Sequence, residues 1–326
     1  MSTDTDTRQR IARQDAYEYV MALQEPRLTV EQGEEFVLEV ENSMSNLIVT
    51  EDDLPTHETL GEIAKLKKFN PCAGPIYVEG AKAGDTLVVD IVDIVVEETG
   101  YVLLEPGPGP FQDSIKYGEA RGPYTKIIQH LPGPSGTTSD GIGIFDENTQ
   151  WDLQPLIGTI GVVPPRPEVS SDTVFMQGPW GGNLDTREFR KGHRLYFPVA
   201  HDGALLYAGD VHATQATEFG ATGDESRAEV TLRCEVIPDK AIPFIRVETP
   251  TEIVQLNSWR PIEEGLKQAN LWMIDWLVED YGFTVREATL HLAVNPDVRA
   301  NVYLLCMDGK QNYTIGVSFP KTALSR

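Results

Sequence analysis

Residues 86–96, Thr-Leu-Val-Val-Asp-Ile-Val-Asp-Ile-Val-Val, constrain the fold more than any other stretch of the chain. β-Branched side chains lose freedom in a helix and pack well on a pleated sheet. So apolar and long a run predicts a strand buried on both faces for part of its length. Shorter strands are predicted around it. Residues 36–41 alternate apolar and polar with period two, and residues 228–237 do so over ten positions, the pattern of a sheet with one wet face. Residues 157–163, 194–198 and 204–207 read as further strands. In residues 70–85, Gly-Pro and Ala-Gly-Asp turns bracket a short strand at 76–78, which places Cys72 in a turn. Residues 104–124 and 131–142 are rich in Gly and Pro and predict loops, of the kind that often shield a site.

The pattern changes near residue 255. Residues 261–281 predict a helix with Leu266, Ala269, Met273, Trp276 and Leu277 on one face. Pro261, Glu263 and Glu264 suit its first turn, and Gly282 stops it. A second helix starts at Thr284, which forms a capping box with Glu287. A last strand is predicted over 313–319. The expected fold is mainly β: a sandwich or barrel body with a C-terminal α+β region carrying two helices. The expected division is a frayed N-terminus over 1–15, a β-rich catalytic body over 16–250 and the α+β region over 251–326.

The chain has 326 residues, 40% of them hydrophobic, enough for a large core. Its formal net charge of -23 argues against nucleic acid and anionic membrane surfaces as partners and favours a neutral or cationic small molecule. Cys72, Cys234 and Cys306 make neither a disulfide framework nor a CxxC knuckle. The polar first twenty residues hold no signal-peptide core, and no window is apolar enough to span a bilayer. A cytoplasmic location is expected.

Chemistry concentrates in residues 181–220. Asp185, His193, His201, Asp202, Asp210, His212, Gln215 and Glu218 crowd between two predicted strands. Carboxylates and imidazoles so dense need a partner or a cation if they are buried. Asp210 and His212 stand two apart, so a strand turns both to one face. Asp185 follows a Gly pair where backbone can approach a ligand. With Glu218, these residues give a mixed nitrogen and oxygen donor set suited to zinc or another divalent ion. The other histidines carry less. His193 is expected at the surface, His201 and Asp202 read as hairpin-turn chemistry, and His130 and His291 look incidental. His57, in a polar segment, is ambiguous. Cys72 has no activating base near it in sequence. No GxSxG elbow, P-loop or GxGxxG is present.

Four stretches resemble the acetamidase/formamidase family. Residues 70–85 are similar to its NP-x-x-GP-x-x-VEGA-x-x-GD segment, and residues 155–164 to its P-x-IG-x-x-GV-x-P strand. Residues 181–185 match its GGN-x-D turn, and residues 198–215 its PV-x-x-x-GAL-x-x-GD-x-HA-x-Q block. Met273-Ile-Asp-Trp-Leu277 is similar to its MIDWL-type helix. Three departures stand out. The run after Gln215 is one residue shorter than the family's, which makes Glu218 the aligned acid and Glu225 the counterpart of a later one. Ala73 replaces a hydroxyl residue, and Cys72 is untypical.

The resemblance implies a metal-dependent amidohydrolase that assembles as a homo-oligomer and acts on small neutral amides such as formamide or acetamide. Asp185, Asp210 and His212 are the expected ligands, for zinc first and calcium second. Glu218 is the expected base, with Asp210 sharing in catalysis. Asn183 and Gln215 are the expected substrate contacts. Two alternatives remain open: hydrolysis of another C–N or C–O bond, as in a cyclic amide or lactone, and a non-catalytic β protein that binds calcium.

Overall fold

The computed structural model describes residues 6–66, 69–106, 110–111, 114–306 and 311–324. The chain is mostly β, with 39% strand and 17% helix, and the described residues form no closed barrel. One sheet has nine strands, in the order Gln9–Ile11, Glu35–Val40, Ala228–Ile237, Thr86–Val96, Arg194–Pro198, Arg246–Glu248, Glu252–Trp259, Tyr313–Pro320 and Arg299–Leu304. Thr86–Val96 lies inside it, as its composition predicts. Its Asp90 tolerates that position because Arg194 and Arg233 donate to it at 2.7 and 3.0 Å.

The second sheet has eleven strands. Leu206–His212 runs through its middle, with Leu156–Val162 on one side and Cys72–Val78 and Glu225–Ser226 on the other. A single buried cluster draws Phe36, Leu87, Val89 and Val230 from the first sheet and Ile76, Ile157, Ile160 and Leu206 from the second. The body is therefore a sandwich, in which each buried Leu, Ile or Phe contributes roughly 1.5–3 kcal/mol.

The nine-stranded sheet continues unbroken past residue 251, because Arg246–Glu248 pairs with Glu252–Trp259. Helices α2 (Ile262–Tyr281) and α3 (Val285–Val294) cover its far end, setting Ala269, Met273, Leu277 and Ala288 on Ile253, Val317 and Phe319. Gly282 takes the left-handed conformation at φ 71° and stops α2, and the Thr284–Glu287 capping box starts α3. No helix among the described residues is long and apolar enough to cross a membrane.

Several elements differ from their sequence expectation. Residues 1–5 lie outside the described residues, but Gln9–Ile11 runs parallel beside Phe36–Leu38. Cys72 begins a strand instead of sitting in a turn. The strand expected at 204–207 starts later and runs to His212, because Ala204 and Leu205 both take positive φ, 57° and 59°. Within and beside the expected loops, Thr99–Leu104 pairs with Tyr124–Leu131. A helix absent from the sequence reading, α1 (His57–Lys65), is capped by the Thr56 hydroxyl. It seats Leu60 and Ile63 on Met44, Tyr101 and Leu103.

His193 is 6% exposed, where a surface position is expected from its neighbours. Its Nδ1–H donates to the Glu188 carbonyl at 2.9 Å, which closes the turn before Arg194. Burial lowers its pKa from 6.5 to about 4. The unfolded chain therefore takes up this proton first. The neutral ring's stabilisation is complete above pH 6.5 and is lost as the pH falls toward 4. Over that window the wild type is expected to lose about 1–2 kcal/mol more stability than His193→Gln, after allowance for solvent screening. Urea midpoints at pH 7 and pH 4.5 check this, and identical losses would refute it.

Candidate active site

The mid-sheet strand Leu206–His212 carries two of the residues that matter. Asp210 sits at φ 56°, a conformation Asp tolerates better than most residues, and this turns its carboxylate toward the imidazole of His212. The Asp210 Oδ1 and His212 Nε2 atoms are 3.7 Å apart. Asp185 follows the strand Gly181–Asn183, which lies across Leu156–Val162 from Leu206–His212; it too is at positive φ (45°), and its Oδ1 is 3.8 Å from the same Nε2. Glu225 comes from the other side. It is the direct cross-strand partner of His212, and its Oε1 is 3.3 Å from Nε2, the shortest carboxylate approach of the group. Glu218 reaches in from the loop after His212, with Oε1 3.9 Å from His212 Nδ1.

Hydrogen bonds fix the orientation of these groups. Asp210 Oδ2 accepts from Asn70 Nδ2 at 2.7 Å and lies 3.0 Å from the Thr159 hydroxyl, leaving Oδ1 for the centre. Gln215 Nε2 donates to the carbonyls of Asp185 and Tyr303, so its Oε1 must accept from His212 Nδ1–H, at 2.8 Å. The Nε2 of a neutral His212 is thereby presented as a lone pair to the three carboxylates, the usual device for aiming an imidazole at a cation. Gln215 is expected from the resemblance among the substrate contacts. Its amide is instead spent on these bonds, and it does not line the cavity. Asn183 does line the cavity, with its Oδ1 2.9 Å from the Thr159 hydroxyl oxygen and its amide donating to Val174 O.

Electrostatics leave the cluster short of positive charge. Both oxygens of Asp185, Oδ1 of Asp210 and Oε2 of Glu225 are buried without a hydrogen-bond partner. Burial pushes Asp185 well above the usual carboxylate range, and the Glu218 charge adds to it. Burial likewise raises Glu225 strongly and Glu218 to a lesser degree. For His212, burial works downward, but the charges of Glu225, Asp210 and Asp185 carry it well above the ordinary histidine value. Orphaned carboxylate oxygens in a buried site are costly unless a cation compensates them. Two donor sets sharing His212 have atoms within 4.8 Å of one another: Asp185, His212 and Glu218, and Asp210, His212 and Glu225. One imidazole nitrogen with carboxylate oxygens fits zinc or a similar divalent ion.

Gly158 shapes the floor of this cradle. A Cβ there would lie 2.6 Å from Asp185 Oδ1 and 2.9 Å from Asp210 Oδ2, so only glycine lets the two carboxylates come this close. Above the floor opens a cavity of about 660 Å³ whose lining includes all four acids and His212. Glu218 is the most exposed acid, 15% against 1% for Asp185, 2% for Asp210 and 4% for Glu225. It is thus the carboxylate best placed to exchange a proton with a ligand.

The remaining candidates lie elsewhere. His57 is exposed at the start of α1 and does not line the cavity. His201 bonds the Pro164 carbonyl, and Asp202 pairs with Lys82, both as turn chemistry. Cys72 is buried, and burial pushes its thiol well up, so the thiolate a nucleophile needs is suppressed. His130 is not incidental. It is buried, donates through Nδ1 to the Glu97 carbonyl and pairs through Nε2 with Asp224 at 3.0 Å, directly beside Glu225. The sequence points to Glu225 only through its family counterpart. Its approach to His212 follows from strand pairing, which no local pattern announces.

The profile of the Acetamidase/Formamidase family matches residues 23–173 and 169–261. An acetamidase of Mycolicibacterium smegmatis is 25% identical over 262 residues, covering 57% of each chain. The chain spans about half the length of the curated relatives it matches. The crystal structure of an acetamidase from Bacillus halodurans superposes with a TM-score of 0.82 at 27% identity, over 96% of this chain and 98% of that one. A predicted acetamidase/formamidase from Thermoanaerobacter tengcongensis gives a TM-score of 0.83 at 27% identity, over 97% of each chain.

Proposed function

The chain belongs to the acetamidase/formamidase family, and on that premise we propose that it hydrolyses a neutral carboxamide to ammonia and a carboxylate. One observation carries the reading: buried carboxylate oxygens without partners converge with His212 Nε2 at the floor of an open cavity. Asp185, Asp210 and His212 would hold a divalent cation, zinc foremost, with Glu225 beside them. Such an ion would supply Lewis acidity, polarising an amide carbonyl and acidifying water.

The chain's own groups do the rest. Asn70 and Thr159 hold Asp210, and Gln215 holds His212, so the donors need no rearrangement. Glu218 takes the proton of the attacking water and returns it to the departing nitrogen. The backbone N–H of Gly223 donates to its Oε1 at 2.7 Å and keeps it aimed inward. Asn183, at the cavity wall, orients the amide through its second Nδ2–H, the first being given to the Val174 carbonyl. The cluster's negative charge disfavours anionic substrates.

The test is ammonia release from a panel of neutral amides by purified protein, with its metal content measured in parallel. Zinc-supported release is the expected result. Bound calcium with no release from any amide would favour the binding-protein alternative, and ring opening without ammonia would favour a cyclic substrate.

A further inference from the structure

We infer that the natural substrate is an aryl-bearing primary carboxamide, larger than the one- and two-carbon amides for which the family is named. This rests on the amide-hydrolysis reading above and specifies its substrate. The cavity, about 660 Å³, lies within the range of roughly 300–1,000 Å³ that suits drug-sized ligands. Formamide or acetamide would leave most of it to water. The four clustered acids occupy its floor, and the remaining wall, though it includes Glu105 and Asp172, carries an apolar face of Leu60 from α1, Phe69, Leu103, Phe111, Phe175 and Val20.

Val20 among these is poorly covered by the fold itself, at 37% exposed. Apolar side chains left open beside a polar reaction centre are what an apolar substrate group covers. The rings of Phe69, Phe111 and Phe175 favour an aromatic group, which gains edge-to-face contacts beyond simple burial. The clustered acids on the floor disfavour a carboxylate on that group close to them, although Arg121 also lines the cavity.

The reaction balances without a further reactant. The water oxygen bonds the acyl carbon, the C–N bond breaks, and the proton taken by Glu218 leaves with nitrogen as ammonia.

Gly61 gives the means to test the volume. It lines the cavity from α1, and a Cβ built on it meets nothing within 4 Å. A larger side chain there enters open space, and replacing an interior helical glycine does not cost helix propensity. The experiment compares kcat/KM for 2-phenylacetamide and acetamide, read as ammonia release by the full-length zinc-supplied protein. Phenylacetamide is expected to be better by about tenfold or more. In Gly61→Phe that ratio is expected to fall about tenfold or more, and in Phe175→Ala it falls in the same direction.

Acetamide turned over as well as or better than phenylacetamide by the wild type overturns this inference and leaves the amidase reading standing. Ammonia from neither amide overturns both. A ratio unchanged in both variants also overturns the inference.

Discussion

Asp210→Asn is expected to lower kcat/KM for amide hydrolysis about a thousandfold or more and to strip most of the bound cation, while the protein still folds. The substitution is chosen for what it keeps. Asn tolerates positive φ as Asp does, and Asp210 sits at φ 56°. The Asn carbonyl oxygen still accepts from Asn70 Nδ2 and the Thr159 hydroxyl, as Asp210 Oδ2 does at 2.7 and 3.0 Å. What is lost is the charge on Oδ1, one of the orphaned oxygens facing His212 Nε2. Kinetics with elemental analysis of the same preparation decide the matter. Near-native activity in Asp210→Asn would remove Asp210 from the site's chemistry.

Glu218→Gln separates the base from the ligands. It is expected to cut kcat by about 10²–10⁴, the usual contribution of a positioned acid or base, with cation content retained. Its amide oxygen still accepts from the Gly223 N–H, so the loop geometry survives. Glu218 also belongs to one of the two donor sets around His212. Loss of cation along with activity would therefore make it a ligand, and the base would have to be sought elsewhere.

How much of this is legible in the sequence depends on the range of the interactions. The β-branched run at 86–96, the amphipathic face of α2, Gly282 and the Thr284–Glu287 box are local patterns, and each forms as read. Asp185, Asp210 and His212 lie close along the chain in a dense polar stretch, so their convergence is also readable. The missed features are nonlocal or compensated. Thr99–Leu104 and Tyr124–Leu131 pair around an intervening Gly- and Pro-rich segment that obscures them. His193 is flanked by Gly and Arg yet is buried, because its ring satisfies the Glu188 carbonyl. His130 and Glu225 acquire meaning only through partners from distant strands. Gln215 shows the limit from the other side: the motif locates it, but only the bonding pattern shows what its amide is spent on.

Tyr303 has a temporal consequence. Its carbonyl accepts from the side chain of Gln215 and the backbone N–H of Glu218, and the carbonyl of Val302 accepts from Thr217. A ribosome adds roughly 5–20 residues per second, so the loop that aims His212 and presents Glu218 emerges seconds before the strand that anchors it. Until then the nascent chain carries its acids without the splint that orders them. Maturation of the centre thus waits on the synthesis of Arg299–Leu304, a strand made well after the residues it orders.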